Sequence, residues 1–272
     1  MAAALALLPP GRIAHPAFDP LRPLLQKLGE RPGLDELNAL AAERGHRIRF
    51  GPPVAAGAKA YEQRVFDSGE VDTRVDNLHD FFNALAWMTF PRTKAALNAR
   101  HVASLASEGV VRGPLRDLLT LVDEGGVIVA CATESLATFE SLVREFRWQD
   151  LYWERRAQLL ADARFVLVGH SAFEKSLAPY PGITCKALFL PVSRQALAGP
   201  PETLVGGLDA AAADWIEALP ADAKPRQMPP LPVFGYPGWL PDSVTPGFYA
   251  DRRWFRPAPP GRCTAAKLER AA

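Results

Sequence analysis

An α/β (α+β) fold is expected for this chain: a small mixed sheet surrounded by helices, with a long irregular proline- and aromatic-rich C-terminal segment packed on the core. Three observations lead there. Short apolar or alternating runs near 46–50, 61–66, 71–74, 127–131, 165–168 and 186–191 have the length and residue types of strands. Between them, apolar residues recur at three- and four-residue steps, as in Leu78, Phe81, Phe82 and Leu85 or Leu115, Leu118, Leu119 and Val122, the stripe of a helix lying on a core. From Pro220 both patterns stop, and ten of the 26 prolines fall between Pro225 and Pro260 among Phe234, Tyr236, Trp239, Phe248, Tyr249, Trp254 and Phe255. Disordered segments are poor in aromatics, so this stretch reads as ordered coil laid on the core, with Trp239 and Phe255 largely buried.

Taken in order, the chain opens with two short helices, Leu21 to Leu28 and Leu34 to Arg44, the second ended by Gly45. His46 begins a strand and reads as a surface or capped residue. Residues 61–66 and 71–74 flank Asp67-Ser68-Gly69-Glu70 as a hairpin, whose antiparallel pair would make the sheet mixed. A helix from Asp76, its N-cap, runs to Pro91, which ends it and starts the next one. A helix over 109–123 leads through Asp123-Glu124-Gly125-Gly126, a solvated turn or a cation-binding one, into the strand 127–131. Residues 133–160 read as one long helix, 165–168 as a strand covered on both faces, Ser171 to Leu177 as a helix, and 196–219 as a peripheral alanine-rich helix.

The 272 residues suit one domain over 18–257, with a flexible segment at 1–17 and a loose end at 258–272. Lys and Arg number 31 against 30 acidic residues. A net charge of +1 gives no general attraction to nucleic acid or anionic membrane, so any anion site is local. Cys131, Cys185 and Cys263 are too few and too far apart for a zinc ribbon or a disulfide framework and read as reduced thiols. The start MAAALALLPPGR lacks the basic region of a secretory leader, and no window approaches the roughly 20 apolar residues of a membrane span. A cytoplasmic protein is expected.

The candidate site centres on Asp76 to Arg100. With successive residues about 100° apart on a helix, His79, Asp80, Asn83 and Trp87 share the side opposite the apolar stripe. Arg74 enters the same cleft just before the helix. Arg92 and Lys94 lie in the first turn after Pro91, where the helix dipole disfavours cations unless an anion joins them, so the pair either suits a phosphate or carboxylate ligand or simply points into water. Two carboxylates of the long helix stand out: Asp150 falls in its apolar stripe with Glu154 four residues on, either catalytic or paired with Arg147, Arg155 or Arg156. His170 follows a strand and meets Glu174 four residues later, as a metal-ligand pair or an internal hydrogen bond.

The runs YEQRVFDSGEVDTRVDNLHDFFNALAWMTFPRTKAALN, EFRWQDLYWERR, VLVGHSAFEKSLAP, FGYPGWLP and FYADRRWFRP, with DEGG, resemble an uncharacterised bacterial family known only as a domain of unknown function, the one numbered 3025. The likeness spans about Phe50 to Pro257. It implies no activity, cofactor or catalytic residue. The chain has no GxGxxG after a strand, no GxxxxGK[ST], no GxSxG and no HExxH. His79-Asp80 is similar to the metal pair of the HD phosphohydrolases, but strands flank it and their further His and Asp ligands are not recognisable.

The expected activity is therefore a metal-assisted hydrolase of a phosphate-bearing substrate. His79, Asp80, His170 and Glu174 would hold a divalent ion; His79, Asp80, Asn83 and Glu154 would act in catalysis; Arg74, Trp87, Arg92 and Lys94 would bind substrate. The alternatives are a non-catalytic module for an anionic small molecule or partner protein, and a purely structural network of His79, Asp80 and Asn83.

Overall fold

The computed structural model describes residues 10–29, 31–54, 60–108 and 113–259. Helices α1 (Pro10–Ile13), α2 (Arg22–Leu25) and α3 (Leu34–Glu43) lead to strand β1 (Arg49–Gly51). Next come α4 (Tyr61–Ser68), β2 (Glu70–Asp72), α5 (Leu78–Thr89), α6 (Pro91–Glu108) and α7 (Pro114–Gly125). The central part is β3 (Gly126–Ala132), α8 (Thr133–Arg144), α9 (Arg156–Asp162), β4 (Ala163–Leu167), α10 (His170–Ser176) and β5 (Cys185–Val192). It is followed by α11 (Arg194–Ala198), α12 (Pro201–Glu217), β6 (Pro230–Leu231) and α13 (Pro246–Ala250).

The main sheet has the order β4-β3-β5-β6. Strand β3 runs parallel to β5, from Gly126 opposite Lys186 to Ala132 opposite Val192, while β4 is antiparallel to β3 and β6 antiparallel to β5. Every residue of β3 is buried, which explains why this strand is apolar without alternation. The mixed α+β architecture is thus as expected, but its antiparallel pairs are not those of a hairpin.

The hairpin does not exist. Residues 61–66 lie in helix α4, and β2 pairs in parallel with β1 rather than with them. Tyr61 and Val65 are one helical turn apart on the inward side, and Gly69 ends the helix at φ 74°, its N–H on the Val65 carbonyl. Glycine serves there as a helix cap, not as a hairpin turn. The expected long helix over 133–160 is also interrupted. Helix α8 stops at Arg144, Phe146 adopts φ 59°, and a π-helical turn spans Asp150–Glu154 before α9. Trp148 lies at this break and donates from Nε1 to the Arg256 carbonyl at 2.7 Å.

The C-terminal coil does pack on the core: Trp239 is 7% exposed and Phe255 4%. Tyr152 donates to the Pro232 carbonyl at 2.8 Å and Tyr236 to that of Ala163 at 2.9 Å. Gly235 lets the coil pass against these rings, since a Cβ there would lie 2.5 Å from Tyr152. Packing also begins before residue 18, where Ala17 is buried and His15 Nε2 meets the Trp239 carbonyl at 2.6 Å. Cys131 and Cys185 are buried free thiols, pushed up to about 12 by burial, whereas Cys263 lies outside the described residues. Among the described residues no helix is long and apolar enough to cross a membrane.

Candidate functional site

The N-cap of α5 is Asn77, whose side chain accepts from the Asp80 N–H at 3.0 Å. Asp76, the expected cap, instead adopts φ 59° and pairs with Arg31. Because α5 packs inside the molecule, its second side is not open: Asp80 and Trp87 are buried, and His79 and Asn83 only half-buried.

Asp80 is committed to Arg74. It accepts the Arg74 backbone N–H at 2.8 Å, Nε at 2.7 Å and Nη2 at 2.9 Å. Burial works against its charge, yet these bonds hold the carboxyl below its ordinary range. A carboxylate so occupied closes the chain before α5 onto the helix.

His79 has other partners. Its Nδ1 lies 3.2 Å from Glu174 Oε2 and 3.4 Å from Ser171 Oγ, and its Nε2 lies 3.1 Å from Nε2 of His170. The two rings meet edge to face, centroids 4.5 Å apart at 78°. His170 opens α10 directly after Gly169, and a Cβ on that glycine would stand 2.4 Å from the Glu124 carbonyl. The glycine is what lets α10 start against the end of α7. Burial lowers the His170 imidazole to about 4, so this ring is neutral near pH 7. Its Nδ1 faces Asp123, whose Oδ2 is 3.7 Å away.

Asp123 belongs to the last turn of α7 and is neither a solvated turn residue nor, as placed, a cation ligand. Its Oδ1 receives Lys94 Nζ, which also donates to Asn83 Oδ1 at 2.8 Å and sits 5.2 Å above the Trp87 ring. Burial opposes the Asp123 charge, but Lys94 and then His170 keep the carboxyl below its ordinary range. Lys94 is therefore a buried counter-ion and not a cation at the cleft mouth.

His79, Asp80, Asn83, Asp123 and His170 line a cleft of about 610 Å³ to which Tyr61, Glu62, Arg74, His101 and Arg116 also contribute. Tyr61 and Glu62 come from α4, so misreading that helix as a strand hid them; the four-residue step from Tyr61 to Val65 was the signal. Glu62 accepts from Asn98 Nδ2 both at its carboxylate, 2.7 Å, and at its backbone carbonyl, 2.8 Å. Burial pushes its carboxyl up, and nearby Asp123 adds to the effect.

Four of the expected residues lie elsewhere. Glu154 is exposed on the π turn and Asp150 pairs with Arg147 at 2.6 Å. Trp87 lines a different groove, as does Arg92. The N-terminus of α6 already holds an anion of this chain: Asp209 of α12 accepts the Arg92 N–H at 3.1 Å and the Thr93 N–H at 2.8 Å, and its carbonyl takes the Thr93 hydroxyl at 3.1 Å. The expected metal set is not assembled either, since Asp80 is clasped by Arg74. Among the described residues no group of three or more His, Cys, Asp or Glu side chains is arranged to hold a metal ion. What the fold does unite is His79, His170, Glu174 and Asn83 with Asp123, Glu62 and Tyr61.

An α+β chain with a polar cleft walled by two facing imidazoles is the class these observations define. The model of a family described as protein of unknown function (DUF3025) matches residues 50–259, and the chain belongs to that family. No curated protein and no solved structure matches it.

Proposed function

We propose that this protein is a hydrolase whose cleft activates water by general acid–base catalysis, with His79 exchanging the proton. The observation that supports this reading is the 3.1 Å contact between Nε2 of His79 and Nε2 of His170. Two facing imidazole nitrogens at that distance share one proton. His79 is oriented at its other nitrogen by Glu174, which is the arrangement that fixes a catalytic imidazole in place. With the Nδ1–H of His79 directed at Glu174, its Nε2 is the accepting nitrogen; an incoming water takes the place of His170 as donor, gives its proton to Nε2 and attacks the substrate. Phosphoesters are the first class to test, because the guanidinium groups of Arg74 and Arg116 line the cleft.

The same contact favours a second reading, in which a divalent ion takes the place of the proton. Two imidazoles bound to one tetrahedral zinc have nitrogens about 3.3 Å apart, given Zn–N bonds of about 2.0–2.1 Å. A third donor would then have to turn toward the pair.

The test is a screen of wild type and His79→Ala against aryl and alkyl phosphate mono- and diesters, with metal analysis of protein purified without chelator. Turnover lost about a hundredfold or more in His79→Ala, with stability changed by less than about 1 kcal/mol, supports the acid–base reading. Stoichiometric metal that disappears in the variant selects the second. Binding without turnover makes the cleft a recognition module, and a loss of about 1–3 kcal/mol without any ligand makes the cluster structural.

A further inference from the structure

We propose that Glu62 is a catalytic residue of this cleft, the general acid that protonates the leaving group while the His79–His170 pair activates water. The inference rests on the hydrolase reading above and adds the second half of the reaction. Glu62 stands at the second position of α4, lines the same cleft as both histidines, and reaches it from a different element. Its Oε2 is held by Asn98 Nδ2, and the same amide holds its backbone carbonyl, so side chain and helix start are fixed together. That leaves Oε1 as the oxygen that carries a proton.

The groups that face it are Lys94 and Asn98 of α6 and Arg116 and Asp123 of α7. Two of these are cations and one is an anion, yet burial, with Asp123 adding to it, prevails over the Asn98 amide, Lys94 and Arg116 and favours the neutral acid. Glu62 from α4 and His79 from α5, each held by a partner of its own, Asn98 and Glu174, thus reach one cleft from different elements and divide the roles of acid and base between them.

The step balances. Water loses a proton to His79 as its oxygen bonds to the electrophilic centre; the bond from that centre to the leaving oxygen breaks, its electron pair stays on that oxygen, and the proton of Glu62 joins it. The products are the acid, an alcohol, a protonated His79 and a Glu62 carboxylate, and transfer of the His79 proton to Glu62 through water restores the start.

Glu62→Gln tests this, since the amide keeps the bond from Asn98 and cannot donate a proton of the required acidity. For an alkyl ester, whose alkoxide needs protonation, kcat/KM is expected to fall about a hundredfold or more; for the matching 4-nitrophenyl ester it falls less than about tenfold. Equal losses on both esters overturn the proposal and leave the hydrolase reading intact. Wild type inert toward every ester overturns that reading and this proposal with it. Independently of activity, carboxyl NMR of ¹³C-glutamate-labelled protein is expected to show one resonance titrating above the ordinary glutamate range that vanishes in Glu62→Gln. Its absence overturns the proposal.

Discussion

Lys94 carries the largest change of meaning at the scale of a single residue. In an isolated helix it is a cation misplaced in a first turn; in the folded chain it is buried, with the Asp123 carboxylate and the Asn83 amide on its ammonium and the Trp87 ring beneath it. Removing one partner of such a pair leaves the other charge uncompensated, at a cost of about 3 kcal/mol. Lys94→Met is therefore expected to lower stability at pH 7 by that amount in urea denaturation, and Lys94→Met with Asp123→Leu to recover most of it. The pH dependence has a defined sign. Because the folded Asp123 carboxyl is held below its ordinary range, about 3.9, the pair contributes fully above that pH and its contribution is lost as the pH falls through the lower folded value. The gap between wild type and Lys94→Met should narrow below about pH 4, and a gap that is the same at pH 3 and pH 7 would mean that Asp123 is not the partner that matters.

Helix α6 illustrates what an element gains from a distant one. Its N-terminal amides are exposed donors that need an acceptor, and Asp209 supplies it from α12, 117 residues away along the chain. Proline at the first position of α6 sacrifices no bond, since that amide would be unpaired in any case. Asp209→Ala removes a cap and a dipole partner at once and is expected to cost about 2 kcal/mol in thermal melting, while Asp209→Asn, which keeps one acceptor oxygen, costs less than half of that. Loss of less than about 0.5 kcal/mol in the alanine variant would show that water replaces the carboxylate.

For the whole molecule, the C-terminal coil is a wall of the core rather than a tail. It brings strand β6 to the sheet edge, packs the Tyr236 ring tilted against Phe165 and stacks Tyr249 on Tyr152. Burying each large side chain contributes roughly 1.5–3 kcal/mol, so Val233, Phe234, Tyr236, Trp239, Tyr249 and Phe255 together contribute about 9–18 kcal/mol, as much as the whole margin of about 5–15 kcal/mol within which most domains lie. A chain ending before Pro225 is expected to give no cooperative thermal transition and to expose core aromatics to quenchers. A transition at the wild-type temperature would contradict this role.

Local pattern sufficed wherever the deciding interaction is local. The apolar run of β3, the stripes of α3, α5 and α7, the punctuation at Gly45 and Pro91, and the aromatic density after Pro225 all follow from periodicity, backbone preference or composition, and each led to the element that formed or the burial that resulted. The pair His170 and Glu174, one turn apart, and the polar side of α5 showed in spacing for the same reason, but the meeting of His79 with that pair, 91 and 95 residues away, is tertiary. Only the tertiary structure decided which groups face each other. Asp80 went to Arg74 instead of joining His79, Lys94 found Asp123, Asp209 took the helix end offered to a ligand, and α4 brought in Glu62 and Tyr61. Each of the last three joins elements well apart in the chain, and the strength of a charged or hydrogen-bonded pair depends on distance and burial, which residue types and spacing do not encode.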